Sequence, residues 1–166
     1  MLGRKAGWIG LLIAMVVIAA CDNRRIAELE EGVATEADVR ARFGTPEAVY
    51  DEPGGARTFE YPRQPEGQRN YMITIGADGK MSALRQVLRP DVFAKIEPGM
   101  DGAQVRRLLG RPAKTQRFAL KNEVVWDWRF IDGPESKVFS VSFDTAGRVT
   151  STATGPDVRD PQSGLR

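Results

Sequence analysis

The sequence predicts an α+β protein of two tandem repeats, each with two short helices packed on a three-stranded antiparallel sheet. Three observations lead there: a helix-ending motif that occurs twice, an aromatic strand that follows each copy, and a glycine-centred hairpin that follows each strand. The first copy reads Gly32, then Thr35-Glu-Ala-Asp-Val39-Arg-Ala-Arg-Phe43-Gly44-Thr-Pro46. The second reads Gly99, then Asp101-Gly-Ala-Gln-Val105-Arg-Arg-Leu-Leu109-Gly110-Arg-Pro112. Phe59 and Tyr61 match Trp126 and Trp128, and Ile73 to Met81 matches Val141 to Val149. These offsets drift by no more than about two residues over the whole unit, as a duplication requires.

Taken in order, Arg25 to Glu31 and Asp91 to Glu97 are expected as short helices with Ile26 and Leu29, or Val92, Phe93 and Ile96, on one face. Gly32 and Gly99 stop them with a left-handed residue. Thr35 and Asp101 are N-cap residues for the second helices. Asp38 and Gln104, three positions on, can return the bond of a capping box, Gln104 with the better fit. Gly44 and Gly110 end these helices, and Pro46 and Pro112 forbid continuation. The strands expected in the first repeat are Arg57 to Tyr61, Asn70 to Ile75 and Met81 to Val87. Those in the second are Val124 to Ile131, Val138 to Phe143 and Arg148 to Thr152. Ala48 to Tyr50 is extended but too short to count. Gly79 and Gly147 supply the positive φ of the two hairpin turns. Pro62 to Arg69, and the tail after Gly155, read as solvated loop and disordered end.

Ahead of the repeats, Arg4 and Lys5 precede an apolar run that ends in Ile18-Ala19-Ala20-Cys21, with Asp22, Asn23, Arg24 and Arg25 following at once. This is the order of a cleaved leader. An uncleaved span is the alternative, but Trp8 to Ala20 is about 13 residues against the roughly 20 that a bilayer core requires. Ordinary secretion, with a cut after Ala20, is the other alternative. It prefers a small residue where Ile18 stands, and it leaves a free thiol at the new N-terminus. The expected organisation is a leader over 1–20, repeats over 21–89 and 90–153, and a tail over 154–166.

Composition excludes several classes. After the leader, 22 basic and 22 acidic residues remain, which argues against a nucleic-acid partner. Cys21 is the only cysteine, so no disulfide framework exists. There is no histidine, the commonest metal ligand and general base. No nucleophile elbow, phosphate loop or metal spacing is present, so no catalytic residue, metal or cofactor is expected. Asp127 and Asp144 have no partner acid nearby, and Met100 reads as a cap contact. Trp126 and Trp128 alternate with Asp127 and Arg129, which reads as the inner face of a half-buried strand rather than an exposed binding platform.

Ile18 to Cys21 resembles the lipobox of bacterial lipoprotein precursors, which implies a lipid on the Cys21 thiol and a mature chain beginning there. The doubled order of Gly, Val, Phe or Leu, then Gly-x-Pro, followed by an aromatic strand, resembles the BamE (SmpA/OmlA) family over residues 24 to 153. That resemblance implies a small, non-enzymatic lipoprotein of a Gram-negative bacterium, anchored by its lipid, facing the periplasm and bound to the barrel-assembly machine of the outer membrane. The family's familiar member has one unit, whereas this chain has two. Asp22 resembles the inner-membrane retention signal of enteric bacteria. The tandem arrangement also resembles the β-lactamase inhibitory proteins, which implies the alternative of an anchored inhibitor gripping a periplasmic enzyme with a concave sheet.

Overall fold

The structure, a computed structural model, describes Ile26 and residues 28–159. The leader, Cys21 and the end of the tail lie outside the described residues. Two four-stranded antiparallel sheets, each in plain sequence order, form the frame. Sheet A is β1 (Ala48–Asp51), β2 (Arg57–Pro62), β3 (Asn70–Ile75) and β4 (Met81–Gln86); sheet B is β5 (Lys114–Phe118), β6 (Glu123–Asp132), β7 (Glu135–Phe143) and β8 (Val149–Pro156). The sequence predicts three strands per sheet, and the fourth in each is the edge strand after the Gly-x-Pro motif. Ala-Val-Tyr-Asp and Lys-Thr-Gln-Arg-Phe are too brief and polar to show a period of two. They are extended because β2 and β6 offer them a ladder.

Helix α1 (Glu36–Phe43) and its counterpart α3 (Gly102–Leu109) both begin with a complete capping box, on Thr35 and Asp38 in the first and Asp101 and Gln104 in the second. Asp38 fulfils the role despite its shorter side chain. It accepts from the Thr35 hydroxyl at 2.7 Å and amide at 2.9 Å, and these bonds hold its carboxyl below the usual range. The segment before each helix is stitched to the last strand of its sheet. Gly32 donates to the Met81 carbonyl at 2.7 Å, and Gly99 donates to that of Val149 at 2.8 Å. After each helix, the aromatic strand holds the terminating glycine: the Tyr61 hydroxyl donates to the Gly44 carbonyl at 3.2 Å, and Trp128 Nε1 to that of Gly110 at 2.9 Å. Even the irregularities repeat, with register shifts at Thr74/Ile75 and Ser142/Phe143. The duplication is therefore structural.

The expected first helices are shorter than predicted. In the second repeat α2 spans only Pro90–Phe93 and then tightens into single turns, with Lys95 donating to Val92 and Ile96 to Phe93, before Pro98 disfavours helical backbone at Glu97. In the first repeat Ile26 is helical, and from Glu28 the chain runs in turns; Ile26 and Leu29 still pack on the core as their spacing predicts. The tail also begins later than residue 153. β8 runs to Pro156, and Asp157 is buried in an ion pair with Arg129. A Thr- and Ser-rich segment has enough strand propensity to extend the ladder along β7, which the reading of it as tail ignores.

The two repeats are not beads on a string. One face of sheet A carries Phe59, Tyr61 and Ile73 under α1; its other face presents Glu60, Asn70 and Met72 to the second repeat. Met72 joins the second repeat's core with Val105, Leu109 and Trp128. Glu60 is 0% exposed; its carboxylate accepts from Arg106 Nε and Nη2, each at 3.2 Å, from the Arg111 amide at 2.8 Å and from the Tyr50 hydroxyl at 2.6 Å. The Asn70 amide donates to the carbonyls of Leu109 at 2.7 Å and Arg111 at 3.0 Å, so the end of α3 is fixed by a strand of the first repeat. Around the rim, Glu47 and Glu52 pair with Arg106, Arg107 and Arg111. The layers are therefore α1, sheet A, the α2–α3 layer and sheet B.

The loop of residues 62–69 is a docked strap rather than a solvated loop. Gln64 is 2% exposed; its Nε2 donates to the Arg129 carbonyl at 2.7 Å, and its Oε1 accepts from the Arg129 amide at 3.4 Å. The register of β5 with β6 ends at Asp127, so this one amide side chain continues the ladder where the edge strand stops.

Glu60→Ala removes the buried anion, strands the Arg111 amide and the Tyr50 hydroxyl, and leaves Arg106 with Glu47 alone. It is expected to cost about 3 kcal/mol in denaturant unfolding, and a loss below about 1 kcal/mol contradicts this account. Burial, and then the bond to Glu60, push the Tyr50 phenol up to about 12. The unfolded chain ionises first, so this contribution to stability is complete below pH about 10 and is lost as pH rises through about 12. Tyr50→Phe should show a shallower fall in stability over that window than the parent, and an equal fall contradicts the assignment.

Candidate binding surface

The sequence names Cys21 as the modified residue, and it lies outside the described residues. The other conspicuous residues fall into structural roles. Asp144 accepts from the amides of Ala146 and Arg148, both at 2.9 Å, and so builds the β7–β8 turn. Asp127 accepts from the Ser140 hydroxyl across the ladder at 2.7 Å. Met100 supplies the carbonyl that receives the Val149 amide and packs on the second core, in line with its reading as a cap contact. Among the described residues, no group of three or more His, Cys, Asp or Glu could hold a metal ion. Among them, too, no helix is long and apolar enough to cross a membrane.

The two tryptophans part company. Trp128 is fully buried and contributes its N–H to the end of α3. Trp126, on the same face one pleat away, is only partly buried. Its ring lies 4.7 Å from that of Phe143 and covers Gly102, where an added Cβ would meet the indole at 2.9 Å. With Val124, Arg117 and Asp144 it lines a groove of about 320 Å³ at the start of α3. The core reading predicted from alternation thus holds fully for Trp128, while Trp126 divides its ring between core and groove.

The broad available surface is the outer face of sheet B. Val125, Asp127, Ser140, Ser142, Ser151 and Ala153 share it, and none of the described helices lies on it. The matching face of sheet A is closed over Glu60, Asn70 and Met72 by the second repeat. The two sheets therefore do not join into one continuous concave surface. The face mixes small hydroxyl-bearing side chains with Val125, Val138 and Ile131, an arrangement that offers recognition by shape and hydrogen bonding. The residues that sequence reasoning missed are Gln64 and Arg129, which edge this face, and Glu60 with Arg106, which close the other. An alternating strand gives Glu60 the look of a solvated residue; nothing local says that a second repeat will cover it.

Trp128→Ala is expected to cost about 4 kcal/mol, from lost volume and an unsatisfied Gly110 carbonyl, and Trp126→Ala about half as much. Chemical denaturation of both variants checks the order, and a reversed order contradicts it.

Residues 86–153, less than half of the chain, match the family model of the outer membrane protein assembly factor BamE domain. No curated protein matches the chain. Among solved structures, one described as an osmotically inducible lipoprotein, OsmE, is 27% identical, with 42% of this chain and 75% of that chain covered and a TM-score of 0.38. A DUF4309 family protein, YjgB, from Bacillus subtilis is 18% identical over 78% of this chain and 83% of its own, with a TM-score of 0.31. A protein of Streptococcus mutans described as a β-lactamase inhibitor protein is 11% identical over 74% and 82%, with a TM-score of 0.35. The resemblance carried by the Gly-x-Pro helix motif therefore holds where the family model matches, and the second repeat is similar to the BamE domain.

Proposed function

We propose that this chain is a non-enzymatic, lipid-anchored interaction module of the Gram-negative envelope that serves the assembly of outer-membrane β-barrel proteins. The observation that carries this reading is the match of residues 86–153 to the BamE domain. It is supported by the lipobox at Ile18 to Cys21 and by the open outer face of sheet B. Lipid on the Cys21 thiol holds the two-repeat body at the membrane surface, facing the periplasm. Two or three acyl chains, at about 0.8 kcal/mol per buried methylene, give stable attachment where a single chain is marginal. The outer membrane is the assigned side. Asp22 is the residue that would redirect the chain to the inner membrane where the enteric sorting rule applies.

Affinity purification of the full chain from membranes is expected to recover components of the barrel-assembly machine. Recovery of none, in cells where they are abundant, contradicts the assembly role. Cys21→Ser should abolish incorporation of labelled fatty acid and release the protein from the membrane fraction. A serine variant that matures and fractionates like the parent contradicts the anchor.

A further inference from the structure

The four sheet edges are not treated alike. β1 is four residues long, and Arg107 Nη2 donates to its Asp51 carbonyl at 3.3 Å. On β4, the Leu84 amide donates to Glu31 Oε1 at 3.0 Å. β5 is five residues long and carries Lys114 and Arg117. Short length, charge and capped backbone groups are the usual protections of an edge. β8 has such a cap only at its first residue, where Val149 donates to Met100 and accepts from Gly99, both at 2.8 Å, and none beyond it. From Val149 to Pro156 it runs Val-Thr-Ser-Thr-Ala-Thr-Gly-Pro, eight residues with no charged side chain and proline only at the last position.

The repeat explains how the protection was lost. Thr152, opposite Val141, stands where Leu84 stands opposite Ile73. The residue before the repeat's glycine is Glu31 in the first copy and Pro98 in the second. Pro98 has no side-chain acceptor, so the bond that caps Leu84 has no counterpart at Thr152. The direction of the backbone groups follows from the end of the strand. The Asp157 amide donates to Ser136 of β7, so alternate residues back to Ser151 face β7, while those of Thr152 and Thr154 face away from it. Beside this edge, Pro90, Phe93, Phe139, Thr152 and Thr154 line a groove of about 350 Å³ between α2 and β8, with Asp132, paired to Lys137, as the one charged residue of its lining. Its floor is the Phe93–Phe139 stack, with ring centroids 4.1 Å apart.

We propose that β8 pairs with an extended, uncharged strand of a partner polypeptide, whose alternate side chains enter the groove between β8 and α2. The outward N–H and C=O groups of Thr152 and Thr154 demand an extended backbone. The absence of charge along the edge matches an uncharged strand, and the aromatic floor takes apolar side chains at every second position. This deepens the assembly reading and rests on it only for the origin of the strand. Pairing is measured with purified components, so its failure is distinct from a failure to capture the assembly machine.

The probe is a peptide of about six alternating Thr and Val residues, with Lys at both ends for solubility, added to the full chain in detergent micelles. Saturable binding below about 1 mM is expected, with hydrogen exchange at the Thr152 and Thr154 amides slowed at least about tenfold. A peptide of the same side chains, N-methylated at alternate residues, should bind at least about tenfold more weakly. Thr154→Lys should weaken the unmethylated peptide by a similar factor. Equal binding of the methylated peptide, protection confined to other strands, no saturable binding, or pairing of β8 between two copies of this chain instead would each overturn the proposal. The methylated peptide is tested on unaltered protein, so the outcome does not depend on how a variant folds.

Discussion

The carboxylate of Glu60 lies inside the protein, on the face of sheet A that points away from its own repeat's helix, and every donor it receives but one comes from the other repeat. A carboxylate removed from water is costly unless it is paired and fully hydrogen-bonded. Only a tightly docked second repeat meets that condition, because Arg106 and the Arg111 amide sit on and just beyond α3. The same docking lets Asn70 terminate α3, places Met72 in the second core and brings Gln64 to the edge of β6. One buried anion thus sets the relation between the repeats, and that relation decides which surfaces remain open.

Duplicated units begin with the same opportunities, so the differences between them show what each came to do. Arg40, the counterpart of Arg106, pairs with Glu36 within its own helix at 2.7 Å. In α3 the equivalent arginine turns outward to Glu60 and Glu47, since this helix lies between two sheets. Glu31 caps Leu84 of β4, while Pro98 leaves Thr152, its counterpart on β8, without that cap. The first repeat spends its far sheet face on holding the second, and the second keeps its outer face and last edge available. That division suits the proposed arrangement, in which the first repeat links a lipid anchor to the second and the second presents the recognition surface.

Much of this was legible in the sequence because it is local. Capping residues, the glycine stops at Gly44 and Gly110 and the alternation of Val124 to Ile131 report on neighbours within a few positions, and the structure follows them closely. Trp128 as core came from the same alternation. What failed was long-range. Glu60 looks like an outward strand residue, and residues 62–69 look like solvated loop, until a second repeat covers both. The edge strands β1 and β5 have no period of their own and exist because a neighbour offers hydrogen bonds. The continuation of β8 past residue 153 depends on β7 in the same way. The unprotected character of β8 becomes visible only when the two copies are superposed strand by strand.

The central claim is that the buried contact around Glu60 makes the two repeats one cooperative body. Differential scanning calorimetry of the full chain in micelles tests it most directly. The account predicts a single transition whose calorimetric and van't Hoff enthalpies agree. Two resolved transitions, or a calorimetric enthalpy near twice the van't Hoff value, would contradict it.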